Sequence, residues 1–444
     1  MARCNGRPRL KSRAARAARA LWLRLLCVAV ICVAVNCIVW PAIALSADET
    51  PPGATTWLDA PQLTGDWLGL RSRLAEDGLT VQADNTSFLF GNPIGGVRQN
   101  LVFGGHGDYI VTSDLGKLGL ADDFYVKLRA EHRFGETIVN DVGGFISPTL
   151  LADLPIFQSD QLYLTNVLFT QKLGDSLALF AGKMDTLDGD TNAFAHARGK
   201  TQFSNMAFVF NPIVGATVPY STLGTGFVVL REGEPLLTFT VLNSTDTTAT
   251  SGFRELCRDG VLLSLALRIP TQFLGMPGHQ FFGATWNNQT YISIREAYIP
   301  YPDVAIPTVR GSYALFYNFD QYLVVDSLDP LRGWGLFGRA GYADELTSPL
   351  AWFLSVGLGG HVPFARRPDD TFGIGWYYAG TSHKIGSLIT NQFGPIGDGQ
   401  GVELYYNYEL TPAIRLTPDL QVIVPALKSI EPSLILGLRA QLIF

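Results

Sequence analysis

The stretch ADDFYVKLRAEHRFG, residues 121–135, decides how the chain folds. Phe124, Val126, Leu128, Ala130 and Phe134 stand at alternate positions, with His132 the exception. Tyr125, Lys127, Arg129, Glu131 and Arg133 fill the positions between them. A helix would scatter these charges around its circumference, whereas a strand places them all on one side. The same period of two recurs outward from this point. In SLILGLRAQLIF (433–444) the residues Leu434, Leu436, Leu438, Ala440 and Leu442 share a face that excludes Arg439 and Gln441. In GVELYYNYELT (401–411) Val402, Leu404, Tyr406, Tyr408 and Leu410 oppose Glu403, Tyr405, Asn407 and Glu409, and in FGIGWYYAG (372–380) large residues oppose mostly glycine.

About sixteen such segments fit between residues 79 and 444. Tight links at 173–175, 231–235 and 411–412 alternate with long ones at 91–104, 135–159, 186–223, 288–310 and 381–400. Short turns at one end and long loops at the other predict an all-β fold, a transmembrane antiparallel β-barrel of about 16 strands. The physical reason is backbone pairing. An unsatisfied N–H or C=O in hydrocarbon costs several kcal/mol, so strands span a bilayer only as a closed ring. A soluble propeller, sandwich or lectin also alternates, but its strands are typically ~5–6 residues long and these run to about ten. The last strand ends on Phe444 after apolar residues at every second position, which resembles the assembly signal of bacterial outer-membrane proteins.

Composition narrows the function. Of 444 residues, 47% are hydrophobic and only 16% charged, against roughly a quarter in average chains. Residues 1–47 hold seven arginines, Lys11 and no acid, followed by an apolar run from Leu25 to Trp40. This predicts a signal peptide over 1–47, with a retained membrane anchor or an organellar transit peptide as the other readings. With eight of the 33 basic residues in that leader, residues 48–444 keep 25 against 39 acids, a balance of −14. Such a balance argues against nucleic acid as a partner. Cys4, Cys27, Cys32 and Cys37 lie in the leader and only Cys257 remains, so the exported chain has no internal disulfide to rely on. There is no HExxH, GxSxG, Walker loop or CxxC. DGDTN (188–192) starts like a calcium loop, but Ala193 stands where that loop needs Gly and Gly199 where it needs Glu. No metal, no cofactor and no catalytic residue is expected.

Ahead of the barrel, LTGDWLGLRSRLAEDGL (63–79) reads as one short helix, with Asp66 as N-cap, Gly78 as C-cap and Trp67, Leu70 and Leu74 on one face. The predicted organisation is therefore a leader (1–47), a periplasmic segment with a short helix (48–78) and a barrel (79–444). The run Leu63, Thr64, Gly65, Asp66, Trp67, Leu68, Gly69, Leu70, Arg71 resembles the opening signature of the carbohydrate-selective porins of the OprB type, except that Leu68 replaces a Gly. FAGKMDTLDGD (180–190), GLFGRAGYAD (335–344), RPDDTFGIGWYYAG (367–380) and ELYYNYELTPAIRLTPDLQ (403–421) are similar to the rest of that family, so the likeness extends over nearly the whole chain after the leader. It implies a sixteen-stranded barrel in the bacterial outer membrane, surrounded by its lipid. It implies passive diffusion of mono- or oligosaccharides, and it admits a homotrimer.

A barrel of this size leaves an aqueous channel that loops narrow. If the first strand rises from the periplasm, the third outer loop is 186–223, and in related porins this loop folds into the lumen. The expected constriction therefore uses Asp188, Asp190, His196, Arg198 and Lys200 of the loop. Facing it from the wall are Lys127, Arg129, Glu131, Arg133, Glu403, Glu409 and Arg439. Mixed donors and acceptors replace the hydration of a neutral polar solute, while a lining of one sign favours the opposite ion. For each wall charge the alternative is pairing across the barrel that only stiffens it. A general or anion-selective porin, and more remotely a barrel enzyme, are the competing functions.

Overall fold

The computed structural model describes residues 59–295, 307–326, 329, 332–363, 367–386, 389–391 and 394–444. The predicted leader and the first part of the predicted periplasmic segment lie outside them. The strands run over Leu79–Gly96 (β1), Leu101–Asp114 (β2), Phe124–Gly135 (β3), Tyr163–Lys172 (β4), Leu177–Asp185 (β5), Ser221–Arg231 (β6), Glu234–Asn243 (β7) and Val261–Phe273 (β8). They continue over Met276–Ile292 (β9), Thr308–Val325 (β10), Gly333–Ala343 (β11), Leu350–His361 (β12), Thr371–Thr381 (β13), Gly399–Thr411 (β14), Ile414–Val424 (β15) and Glu431–Ile443 (β16). Each pairs antiparallel with its sequence neighbours, and β1 pairs with β16, so the sheet closes into a barrel. Among the described residues no helix is long and apolar enough to cross a membrane.

Alternation sorts the side chains in the sense opposite to a soluble protein. On β14, Val402, Leu404 and Leu410 are 39%, 44% and 53% exposed on the outer surface, while Glu403, Tyr405 and Asn407 are at most 1% exposed inside. On β3, Leu128 faces out and Arg129, Glu131 and Arg133 are buried within. Trp286, Tyr313, Tyr342 and Trp352 stand outward near the long-loop ends of β9 to β12. Trp352 stacks on Tyr378 at 5.0 Å and lies over Gly380, whose added Cβ would meet the indole at 2.0 Å. Aromatic rings at this level suit a headgroup boundary.

Two connections differ from expectation. The link expected over 91–104 is only residues 97–100, because β1 continues through two bulges, between Gly91 and Ile94 and between Ile94 and Gly96. Gly95 and Gly96 make this possible with φ of +71° and +76°, values that L side chains resist. The link expected over 288–310 shortens because β9 runs to Ile292 and β10 begins at Thr308. Further bulges sit between Tyr322 and Val324 and between Glu409 and Thr411.

The segment before β1 is not one helix. A 3-10 turn, Trp67–Gly69, precedes a helix over Leu70–Glu76, and Trp67 and Leu68 within the turn adopt φ of +49° and +60°. Asp66 reaches past the kink, accepting hydrogen bonds from the Ser72 N–H and Oγ at 2.8 Å each. Trp67, Leu70 and Leu74 make no buried face, and the Arg71 guanidinium instead lies 4.3 Å over the Trp67 ring. Arg71 also donates to the Phe444 backbone oxygen at 3.1 Å, and the Leu63 N–H donates to the Ile443 carbonyl at 2.8 Å. The signature therefore clasps the β1–β16 seam.

Candidate functional site

The connection between β5 and β6, residues 186–220, enters the barrel. Asparagine turns set its shape: Asn192 accepts from the Phe194 and Ala195 N–H groups, Asn205 from Ala207 and Asn211 from Ile213. Each turn presents the next side chain to the wall.

Ions hold one side of the loop. Arg198, set in a tight turn with φ +52°, donates to Glu131 and Asp188 at 2.8 Å each and to the Tyr220 hydroxyl at 2.9 Å, and lies 2.8 Å from Asp185. Arg129 bonds Asp185 at 2.8 Å and Asp188 at 2.9 Å and lies 3.2 Å from Asp108. Lys200 reaches Asp84 at 2.6 Å and Asp108 at 2.9 Å. Arg439 donates to the Gly199 carbonyl at 2.7 Å and pairs with Asp419 at 3.3 Å. Glu403 accepts from the Ser204 and Asn205 N–H groups at 2.7 and 3.0 Å. Arg339 pairs with Asp190 at 2.9 Å and caps the carbonyls of Phe208 and Ala195. Burial works against ionisation of the Asp188 carboxyl, but Arg198, His196 and Arg129 beside it hold it well below the usual carboxylate range.

Rings hold the other side. Phe194, Phe203 and Phe208 of the loop are at most 1% exposed. They enter sockets left by wall glycines: a Cβ on Gly335 would meet Phe194 at 2.7 Å, one on Gly373 Phe203 at 2.7 Å and one on Gly375 Phe208 at 2.6 Å. Phe203 packs edge-on against Phe337 and Tyr405, with centroids at 5.2 and 4.8 Å. The connection between β3 and β4, residues 136–162, also folds inward. It meets the first loop through Leu150 N–H to the Ser204 carbonyl at 3.0 Å and Ser204 Oγ to the Pro148 carbonyl at 2.8 Å.

With the loop pinned from β11 through β16 to β3, space remains beside it. A cavity of about 730 Å³ lies between the loop and the inner faces of β3 to β10. Lys127, Asp188 and Asp190 line it together with Asn166, Asn211 and Tyr220. Leu168, Phe180, Val228, Leu242, Phe281 and Phe316 supply its apolar lining.

The twelve residues expected at a constriction thus divide. Lys127 and Asp188, 3.7 Å apart with side chains 35% and 37% exposed, border the cavity openly, and Asp190 borders it while bound to Arg339. Arg129, Glu131, Arg198, Lys200, Glu403 and Arg439 contact the loop or belong to it, but are buried in the lattice that fixes it. His196 is turned inward, its Nδ1 3.0 Å from the Val209 carbonyl. Arg133 donates to the Ala152 carbonyl in the neighbouring loop at 2.7 Å. Glu409 pairs with Arg415 beside the β14–β15 turn, at the short-turn end. Two inserted loops cover most of the charged strand faces. Asp84, Asp108, Asp185, Tyr220, Arg339 and Asp419 were missed. Asp84, Asp108, Arg339 and Asp419 sit at inward positions that the period of two already marks, whereas the sequence carries no sign that the phenylalanines would find glycine sockets.

The family model described as "Carbohydrate-selective porin, OprB family" matches residues 99–444. The high-pH structure of Pseudomonas putida OprB superposes with a TM-score of 0.76 at 21% identity, covering 88% of this chain and 100% of that one. Its low-pH structure superposes with a TM-score of 0.53 at 19% identity, covering 87% and 99%. No curated protein sequence matches the chain.

Proposed function

The chain belongs to the carbohydrate-selective porin, OprB family, a family of outer-membrane channels rather than enzymes, and from this we propose that sugars cross it by passive diffusion along the cavity between the inserted loop and β3–β10. The observation that carries this route is the cavity of about 730 Å³ that stays open beside the loop. Ion pairs and phenyl rings pin the loop around the rest of the barrel, from β11 through β16 to β3. The solute meets Lys127 and Asp188 as exchangeable hydrogen-bonding partners and the apolar lining as a surface for C–H groups. Such binding is weak enough for exit. Mono- and oligosaccharides are the proposed cargo, and the chain itself transforms nothing.

The test is osmotic swelling of liposomes carrying the purified protein in a panel of mono- and disaccharides, set beside the zero-current potential in a salt gradient. Size-graded sugar entry with little ion preference supports the route. Strong anion preference with no sugar discrimination would point to the anion-selective reading. Deleting residues 190–200 should raise flux and blur discrimination, and unchanged flux and selectivity would refute the constricting role of the loop.

A further inference from the structure

Resting on that reading, the lining of the same cavity points to a narrower cargo. Two phenyl rings on its wall lie along the sheet instead of projecting from it. Phe180 is paired with Gly226 across the strands and occupies the space a Cβ there would need, at 2.6 Å. Phe316 is paired with Gly283 and does the same at 2.1 Å. Phe281 stands beside Phe316, with centroids 5.9 Å apart and planes inclined by 31°. A ring laid over a glycine turns its face, not its edge, toward the cavity. The rest of this wall from β5 to β10 offers hydroxyls and aliphatic groups, with two carboxylates at the cavity: Asp185, at the end of β5 and bound by two arginines, and Asp246, in the β7–β8 connection.

The two flanks therefore ask for different chemistry. The loop flank exchanges hydrogen bonds with hydroxyls, while the wall replaces water with ring faces and C–H surface. A free hexose satisfies both over one ring only. A disaccharide that sets its second ring on these phenyl faces brings hydroxyls against surface that cannot replace their hydration, and buried polar groups without partners are costly. A cavity of about 730 Å³ falls within the roughly 300–1,000 Å³ of sites that enclose a drug-sized molecule. That leaves space for a second ring beside a hexose. We propose that this channel favours glycosides bearing an aromatic aglycone over disaccharides of similar length. The sugar lies toward Asp188 and Lys127, and the aglycone lies on a single ring face, that of Phe180 or that of Phe316.

Two readouts on the full chain in lipid bilayers test this. The first is the relative influx of phenyl β-glucoside and cellobiose, each divided by that of glucose and corrected for protein-free vesicles. The second is the concentration at which each solute half-blocks the ion current. Phenyl β-glucoside should exceed cellobiose by roughly three- to tenfold in both, the worth of one stacked aromatic contact. Phe180→Leu and Phe316→Leu keep apolar volume and remove the ring face, so the change at the ring that holds the aglycone should bring the ratio toward one. Of Phe180→Ser and Phe316→Ser, the one at the same position should do so more completely. Equal or better entry of cellobiose in the unaltered chain overturns the inference while leaving sugar diffusion standing. A preference that survives all four substitutions overturns the assignment to this wall. Failure of glucose, cellobiose and phenyl β-glucoside alike to enter overturns the underlying reading itself.

Discussion

Leu68 and Arg198 show how single positions are governed by backbone and charge. Leu68 is fully exposed, takes φ +60° and occupies the position where the resembled signature has Gly. A left-handed non-glycine residue costs roughly 1–2 kcal/mol, and glycine there forfeits about 0.5–1 kcal/mol of chain entropy. Leu68→Gly should therefore stabilise the folded chain slightly, by about 0.5 kcal/mol, readable as a later thermal transition in detergent. Arg198 is the opposite case. Its removal takes from buried Glu131 its arginine partner and leaves buried Asp185 with Arg129 alone. Breaking such a buried pair costs about 3–5 kcal/mol. The loss is local to the loop, so Arg198→Ala should leave the barrel resistant to detergent while making residues 186–220 susceptible to protease and the channel current noisy. A quiet channel with a protected loop would contradict the locking role.

At the scale of strands and loops, outward positions are set by lipid alone. Leu404 lies outward at the middle of β14, 44% exposed, between inward Glu403 and Tyr405. Leu404→Arg should cost about 2–4 kcal/mol in the membrane, as arginine does at the bilayer midplane of such barrels, and much less in detergent. Comparing denaturant midpoints in the two media checks it. The strands were legible for the same reason, since one face must meet hydrocarbon and the other must not, and a period of two survives that demand. Strand ends were less legible. At Gly95 and Gly96 the eye reads a loop, whereas bulges carry β1 onward. The inserted loop was identified by length and place, but not its contacts. Nothing in Phe194, Phe203 or Phe208 alone names Gly335, Gly373 and Gly375 as partners more than 130 residues away, because no short-range rule links them. The charges show the same limit: their inward side was evident, while their burial depended on which loops would cover them.

For the molecule as a whole, the fixed loop ties acid tolerance to a few carboxylates. In the folded chain the Asp188 carboxyl sits well below its ordinary range because of Arg198, His196 and Arg129. Its pairing therefore adds stability at every pH above the ordinary aspartate value near 4, and that contribution is withdrawn as pH falls from there toward the folded value. The stability difference between the unaltered chain and Asp188→Asn should be flat above about pH 5 and shrink below about pH 4. Thermal melting of the purified protein at a series of pH values measures it, and a difference that varied between about pH 5 and 8 would assign the lock to another group. Asp153, in the neighbouring loop, carries the opposite sign, since burial raises its carboxyl and falling pH relieves it.

The bulges next to β16, between Gly91 and Gly96, have a consequence of counting. A cyclic sheet has no free margin where a misaligned strand can slide out harmlessly. One residue inserted midway along β13 changes odd positions to even, and every side chain beyond it would trade oil for water. Two inserted residues preserve parity and ask only for local slack. The native bulges are where this ring already carries an unmatched residue, so single insertions at Gly95 should be absorbed where the same insertion at Gly375 is not.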